Sequence, residues 1–369
     1  MKIAYLGIKG LPSHSGAERV VEAVATRLAG RHQITVYCSS RYTPAKASIP
    51  GLRLIRVPCL GGKYSHMISV DFLAALHAIL RGDYDLVHLH NLEAAFVLPL
   101  LWLRYPVVST LHGFPYLVSK WSSLAKQATR WMEIPFTKLS NRITSVSSRE
   151  AGEFHERYHR AVDYIPNGVS TELAPNLVAA RAILEQHTLE PGKYLLFVAG
   201  RIEPTKGAHL AIQAVNRLKG DFSLLVVGDD TQVPGYSLQL KELAGSRVRF
   251  QPFVESSEVL SSLMAHSAGL VFPSMVEAMS MVLLEAASLG VPIVCADIPA
   301  NRAVLPEQAL YFTSGEAEDL AARLEWALGH SSEMKALGAQ AQAWVRAHFD
   351  WDGIAEQYDR LYREVVGEG

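Results

Sequence analysis

Cysteine is scarce in this 369-residue sequence, with only Cys38, Cys59 and Cys295, far apart. An odd number without ligand-like spacing argues against a disulfide framework or a cysteine zinc site and fits a reducing cytosol. Long apolar runs are also lacking. The longest, "AAFVLPLLWL" from Ala94 to Leu103, is bounded by Glu93 and Arg104. A bilayer span needs about 20 residues, so this run is expected in a core. The opening "MKIAYLGIKG" has one early lysine, a short strand-like run and a glycine. That is not a secretory signal, and a cytoplasmic chain is expected. No low-complexity tract or short-period repeat occurs, and hydrophobic residues (49%) outweigh charged ones (19%). Two globular domains of ordinary size remain as the expectation for this length.

Two motifs are missing as well. The opening loop has Gly7, Gly10 and Gly16, which is not G-x-G-x-x-G, and the second strand ends in Cys38-Ser39 rather than an acid. A nicotinamide dehydrogenase is thereby disfavoured, although the fold class alone would allow it. The acidic pair Asp229-Asp230 lacks the spaced D-x-D form with which some enzymes hold a divalent ion. Asp229 and Asp230 are adjacent and read as a loop feature beside the ligand, so no metal is expected.

What is present is an alternation of strands and helices. The strand-like runs of the first half are "KIAYLGI", "QITVYCS", "LRLIRVP", "YDLVHLH", "VVSTLHG", "RITSVS" and "VDYIPNG". The pattern restarts with "KYLLFVAG", "SLLVVG", "RVRFQPF", "GLVFPS", "PIVCA" and "ALYF". Helical patterns between them include Val70–Leu80 and Ala208–Leu218. Such alternation argues for parallel sheets covered on both faces, in an α/β chain of two Rossmann-like domains. The expected domains are residues 1–168 and 169–350, joined between Asn167 and about Lys193, with a C-terminal helix over about 351–369 packing back on the first. Net charge supports two parts with different partners: residues 1–168 carry 20 Lys+Arg against 11 Asp+Glu, and the remainder 15 against 25. A nucleic-acid partner is not expected.

Ligands of open parallel sheets bind beyond the carboxyl ends of the strands. Many of the unusual polar residues fall there. "GRIEPTKG", Gly200 to Gly207, ends a strand in glycine and carries Arg201 and Lys206 before a helix. Glycines allow close backbone approach, and two cations can hold a diphosphate. The alternative is a solvated basic turn. In "FPSMVEAMSMVLLEAASLGVPIV", Glu277 and Glu285 stand among apolar and small residues. Ser280 marks a helix start there, so the free N–H groups near Met281 and Val282 make an anion site. A diphosphate at that start would set Glu285 near a ribose and Glu277 near the group beyond the phosphates. The alternative is that both carboxylates form buried salt bridges, with Arg201 or Lys206 as partners. His88 and His90 alternate in their strand and are expected on opposite faces, each in a packing role. Asn167-Gly168 reads as turn chemistry at the junction.

Taken in order, "GLPSHSGAERVVEAVATRL", "PNGV", "GRIEPTKG", "VVGDD", "RVRFQPFVESSEV", "PSMVEAMSMVLLEAASLGVPIV" and "ADIPANRAVL" resemble the retaining GT-B glycosyltransferases of family 4. The resemblance spans nearly the whole chain. It departs at Gly16-Ala17, where many members have Gly-Gly, and at Ala278-Met279-Ser280, where many have Gly-Phe-Gly. It implies a GT-B fold, two Rossmann-like domains facing across a cleft. It also implies sugar transfer from a nucleotide-diphosphate donor, a substrate rather than a cofactor, to a sugar or lipid-linked sugar acceptor with retention. Arg201 and Lys206 would neutralise the diphosphate, helped by the helix start after Ser280, and Gly16 would lie with the donor-binding residues. Glu285 would bind the ribose, Glu277 the donor sugar's hydroxyls, and Phe253-Val254 would adjoin the base. His112 in "TLHG" would position acceptor or donor hydroxyls. The usual proposal for such enzymes is front-face displacement, which requires no dedicated nucleophile. A non-hydrolysing sugar-nucleotide epimerase and a catalytically silent nucleotide-sugar-binding protein stay open as alternatives.

The segment Tyr116 to Arg142 carries Lys120, Lys126, Arg130, Lys138 and Arg142 against Glu133 alone, with Trp121 and Trp131 among them. Basic residues interleaved with tryptophan suit an anionic bilayer surface, so peripheral attachment to the inner face of the cell membrane is one expectation. Core aromatics beneath a solvated basic face are the other.

Overall fold

The computed structural model describes residues 1–13, 16–62, 65–117, 122–170 and 175–367. The chain forms two compact units, one of Met1–Gly168 with Trp351–Gly369, the other of Val169–Asp350.

The first unit holds β1 (Lys2–Leu6), β2 (Gln33–Ser39), β3 (Leu52–Val57), β4 (Leu86–His90), β5 (Val107–Leu111), β6 (Arg142–Ser145) and β7 (Asp163–Tyr164) in the order β3-β2-β1-β4-β5-β6-β7. All pairings are parallel. Every residue of β4 and β5 is buried, as expected of strands covered on both faces. Val87, Leu89, Val107 and Leu111 share one buried core with Ala74, Ala75 and Ala78 of the helix Ser65–Arg81, which lies against β1, β2 and β3. The small alanines let that helix lie close to the sheet. It starts five residues earlier than its apolar pattern, which first becomes regular at Val70.

The C-terminal helix Trp351–Val366 belongs to this unit and packs on the helix Gly16–Leu28. Trp351, Ile354, Ala355, Tyr358, Leu361 and Tyr362 are its buried apolar stripe, at the spacing of one helical face. Ion pairs rim the contact, Arg27–Asp352 at 2.6 Å and Arg31–Glu356 at 2.6 Å, and His32 bonds Asp359.

The second unit holds β8 (Tyr194–Arg201), β9 (Ser223–Asp229), β10 (Val248–Gln251), β11 (Gly269–Phe272), β12 (Ile293–Ala296) and β13 (Leu310–Phe312) in the order β10-β9-β8-β11-β12-β13. It too is wholly parallel. The α/β reading therefore holds strand by strand. In the run Ala94–Leu103, Ala94, Ala95, Val97, Leu98 and Leu101 are buried as expected, whereas Trp102 and Leu103 at its end are exposed. Among the described residues no helix is long and apolar enough to cross a membrane.

Candidate active site

In each sheet the direction of strand addition reverses once, between β1 and β4 in the first unit and between β8 and β11 in the second. Loops leaving neighbouring strands at such a point diverge and leave room for a ligand.

In the second unit those loops are "GRIEPTKG" after β8 and "PSMVEAMS" after β11. The first bends into a short 3-10 turn, Pro204–Lys206, and ends at Gly207 with φ 73°. A Cβ at Gly207 would lie 2.3 Å from the Pro273 carbonyl oxygen, so only glycine permits this approach of the two loops. The Met275 N–H donates to the Thr205 carbonyl at 2.9 Å. Lys206 Nζ meets Glu277 Oε1 at 2.7 Å, with a quarter of the lysine side chain and a tenth of the glutamate's exposed. The salt-bridge alternative for Glu277 is thus realised, in a pair that still opens to solvent.

The helix expected after Ser280 spans Met281–Ser288. Ser280 is its extended N-cap, and its hydroxyl accepts from the Leu283 N–H. Leu283, Leu284, Ala286 and Ala287 face the core, while Met281, Val282 and Glu285 are half-buried. Glu285 stands one turn beyond Met281 on the same face as the free helix start. Arg201 is half-buried at the end of β8, and its Nε is buried without a hydrogen-bond partner. Asp229, at the end of β9, accepts from the Thr231 N–H and hydroxyl and from Gln232. Burial pushes its carboxyl up, but these bonds and the Arg201 charge together hold it below the usual range. Asp230 accepts from Ser237 at 2.6 Å and pairs with Lys241 at 3.1 Å. Asp229 is thus held within its own loop and Asp230 by the following helix Pro234–Leu243, and no group of three His, Cys, Asp or Glu able to hold a metal occurs among the described residues. Phe253, exposed, and Val254, half-buried, follow β10 at the same sheet edge.

In the first unit β1 is followed by Gly7, φ 85°, where a Cβ would lie 2.0 Å from the His90 carbonyl oxygen. Asn91, φ 70°, donates from Nδ2 to the Gly7 carbonyl at 2.8 Å. Two acids that the sequence reading passed over hold the opening loop: Glu18 accepts from the Lys9 N–H at 3.0 Å and Glu22 from the Ser13 N–H at 2.8 Å. Their spacing of four at the start of a helix was the available signal. Gly16 begins that helix.

His88 and His90 do not face opposite sides. Residues two apart on a strand share a face, and their ring centroids lie 4.0 Å apart. His88 bonds the Tyr362 hydroxyl through Nδ1 at 2.7 Å and the Thr110 hydroxyl through Nε2 at 2.6 Å. His90 Nδ1 lies 2.8 Å from Nε2 of His112, just beyond β5. Burial lowers the pKa of all three rings, that of His112 to about 4.

In the segment 116–142, Lys120 and Trp121 lie outside the described residues. The helix Ser123–Trp131 leaves Leu124 and Trp131 exposed, with Ile134 exposed beyond it. Trp131 is therefore not a core aromatic.

The family model for Glycosyltransferase Family 4 matches residues 14–173, and that for Glycosyl transferases group 1 matches residues 180–344. A phosphatidyl-myo-inositol mannosyltransferase of Mycobacterium leprae is 27% identical over 333 residues, which is 86% of this chain and 83% of the relative. A sucrose-phosphate synthase structure from Thermosynechococcus elongatus superposes with a TM-score of 0.81 at 22% identity, covering 100% of both chains. The Anabaena protein HepE in complex with UDP-glucose superposes with a TM-score of 0.79 at 19% identity, also covering 100% of both.

Proposed function

The chain belongs to the family 4, group 1 glycosyltransferases of the GT-B fold class, and from that premise we propose that it moves a sugar from a nucleotide-diphosphate donor to an acceptor with retention of configuration. The observation that carries this reading is the pair of loops locked by Lys206 and Glu277 at the reversal point of the second sheet. Arg201 and Lys206 stand on the first of these loops, and the helix start at Met281 follows the second. A diphosphate there would be neutralised by two cations and the helix dipole. Glu285 takes the ribose, Glu277 the sugar hydroxyls, and Phe253-Val254 the base.

In the reaction the bond from the anomeric carbon to the leaving phosphate oxygen breaks as the acceptor oxygen adds on the same face. The departing phosphate takes the acceptor's proton. Glu277 is engaged by Lys206 and serves as a sugar ligand, not as a nucleophile. His112, neutral at physiological pH, meets an acceptor or donor hydroxyl. The mannosyltransferase relative is named for a phosphatidylinositol acceptor and HepE was seen with UDP-glucose, which supports a nucleotide-sugar donor and a lipid-linked acceptor in glycolipid or cell-surface polysaccharide synthesis.

A thermal-shift screen of nucleotide sugars tests the donor site. A ligand at a hundred times its Kd adds about 2.7 kcal/mol to the stability of the folded state. Stabilisation by one nucleotide-sugar class is expected, and no shift with any of them would refute the donor site. Because Asp229 and Asp230 are committed to Thr231, Gln232, Ser237 and Lys241, turnover is expected to survive a strong chelator. Activity lost to chelator and restored by magnesium or manganese would overturn metal independence.

The exposed Leu124, Trp131 and Ile134 beside Lys126 and Arg130 support reversible docking on an anionic inner membrane face. Co-sedimentation with anionic vesicles at low salt is expected, weakened by high salt and by neutralising Lys126 and Arg130. Equal binding to neutral vesicles, or none at low salt, would exclude this surface.

A further inference from the structure

The contact between His90 and His112 determines what His112 can do. His90 Nδ1 and His112 Nε2 are 2.8 Å apart, so one nitrogen carries the hydrogen and the other accepts it. The two arrangements differ in what they leave behind. If His112 donated from Nε2, the His90 proton would sit on its own Nε2, an atom that is buried with no hydrogen-bond partner. A buried N–H without an acceptor is among the rarest and costliest arrangements in folded proteins. If His90 donates from Nδ1, only a lone pair is left at that buried nitrogen. The remaining proton of the pair then sits on Nδ1 of His112, whose ring is half-buried and can reach a partner. This arrangement gives every N–H of the pair an outlet.

We propose that His90 is a positioning residue that fixes His112 as the Nδ1–H tautomer, so that His112 acts as a neutral hydrogen-bond donor to a substrate oxygen rather than as a base. The surroundings hold the pair in that state. Tyr5 from β1 stacks on His90 at 5.8 Å, and His88 packs on it at 4.0 Å while anchored to Tyr362 and Thr110. These neighbours are uncharged, and burial disfavours the protonated form of each ring. The Nε2 lone pair of His112 is occupied by the His90 hydrogen, so it cannot collect the acceptor's proton. That agrees with proton transfer to the departing phosphate.

The role in catalysis rests on the function proposed above, but the tautomer does not, and it can be read without substrate. The full chain, labelled with [15N]histidine, is examined by long-range 1H–15N correlation, with His112 assigned from a His112→Gln sample. His112 is expected to show the Nδ1–H pattern and no titration between about pH 5 and 8. His90→Leu should move it toward the Nε2–H form usual for free imidazole and lower kcat/KM about tenfold, the loss of one hydrogen bond. His90→Asn, whose amide can stand near the position of Nδ1, should restore the Nδ1–H pattern and most of the rate. An Nε2–H pattern for His112 in the native protein, or a pattern unchanged in His90→Leu, would overturn the proposal.

Discussion

Lys206→Ala is expected to lower kcat/KM for the nucleotide-sugar donor between tenfold and about a hundredfold, with the fold intact. A charge-assisted contact is commonly worth about 1.5–3 kcal/mol, and each 1.4 kcal/mol is about tenfold. The stability loss should be smaller, about 1 kcal/mol, because the Lys206–Glu277 pair still opens to solvent. Glu285→Ala should act similarly, through the ribose. The ion pair raises a rival explanation, that Lys206 serves only to neutralise Glu277. The double variant Lys206→Ala with Glu277→Gln separates the two. If Lys206 holds the diphosphate, the double variant stays as slow as the single one. Recovery of the rate would show that its only task was to offset Glu277. Unchanged kinetics in both Lys206→Ala and Glu285→Ala would sink the site assignment.

The second large effect is structural. Gly7→Ala is expected to destabilise the first unit by about 3 kcal/mol, through backbone strain and a forced clash. The backbone there has φ 85°, and the new Cβ would lie 2.0 Å from the His90 carbonyl oxygen. Relief requires β1 and β4 to part where Asn91 bonds Gly7, which would displace His90 and the opening loop together. Thermal unfolding of the full chain reads this as a drop of roughly 6–12 °C, taking 2–4 °C per kcal/mol for a unit of this size. Gly30→Ala is the control. Nothing lies within 4 Å of its added Cβ, so its change should fall within about 0.5 kcal/mol. Equal effects of the two substitutions would show that the approach of Gly7 to His90 is not tight.

Inner strands such as β4, β5, β11 and β12 were legible as apolar runs, because parallel strands buried on both faces have no polar side to interrupt them, whereas the edge strands β3 and β7 carry charged or exposed residues. The helix start at Ser280 was legible for a related reason: a serine before an apolar stretch has few other uses. What stayed hidden was pairing over distance. Lys206 and Glu277 are far apart in sequence, and their contact depends on β8 and β11 being neighbours. That adjacency follows from strand order, which local patterns do not encode, so Lys206 was only one of two partners open for Glu277. The link from Tyr362 to His88 joins the end of the chain to its first sheet and was unreadable for the same reason. The shared face of His88 and His90 was within reach, since residues two apart on a strand point the same way. The exposure of Trp131 was not, because composition alone allowed that tryptophan to be either core or surface.

The measurement that bears most directly on the central claim is acceptor-dependent turnover. The full chain is incubated with each of a panel of nucleotide sugars, with and without lipid-linked and simple sugar acceptors. Nucleoside diphosphate release is followed, and the product's anomeric configuration is read by NMR. The expected result is release of one nucleoside diphosphate per glycosylated acceptor, with the donor's configuration kept at the anomeric carbon. An epimerised donor formed without acceptor, an inverted product, or donor binding with no turnover on any acceptor would contradict it.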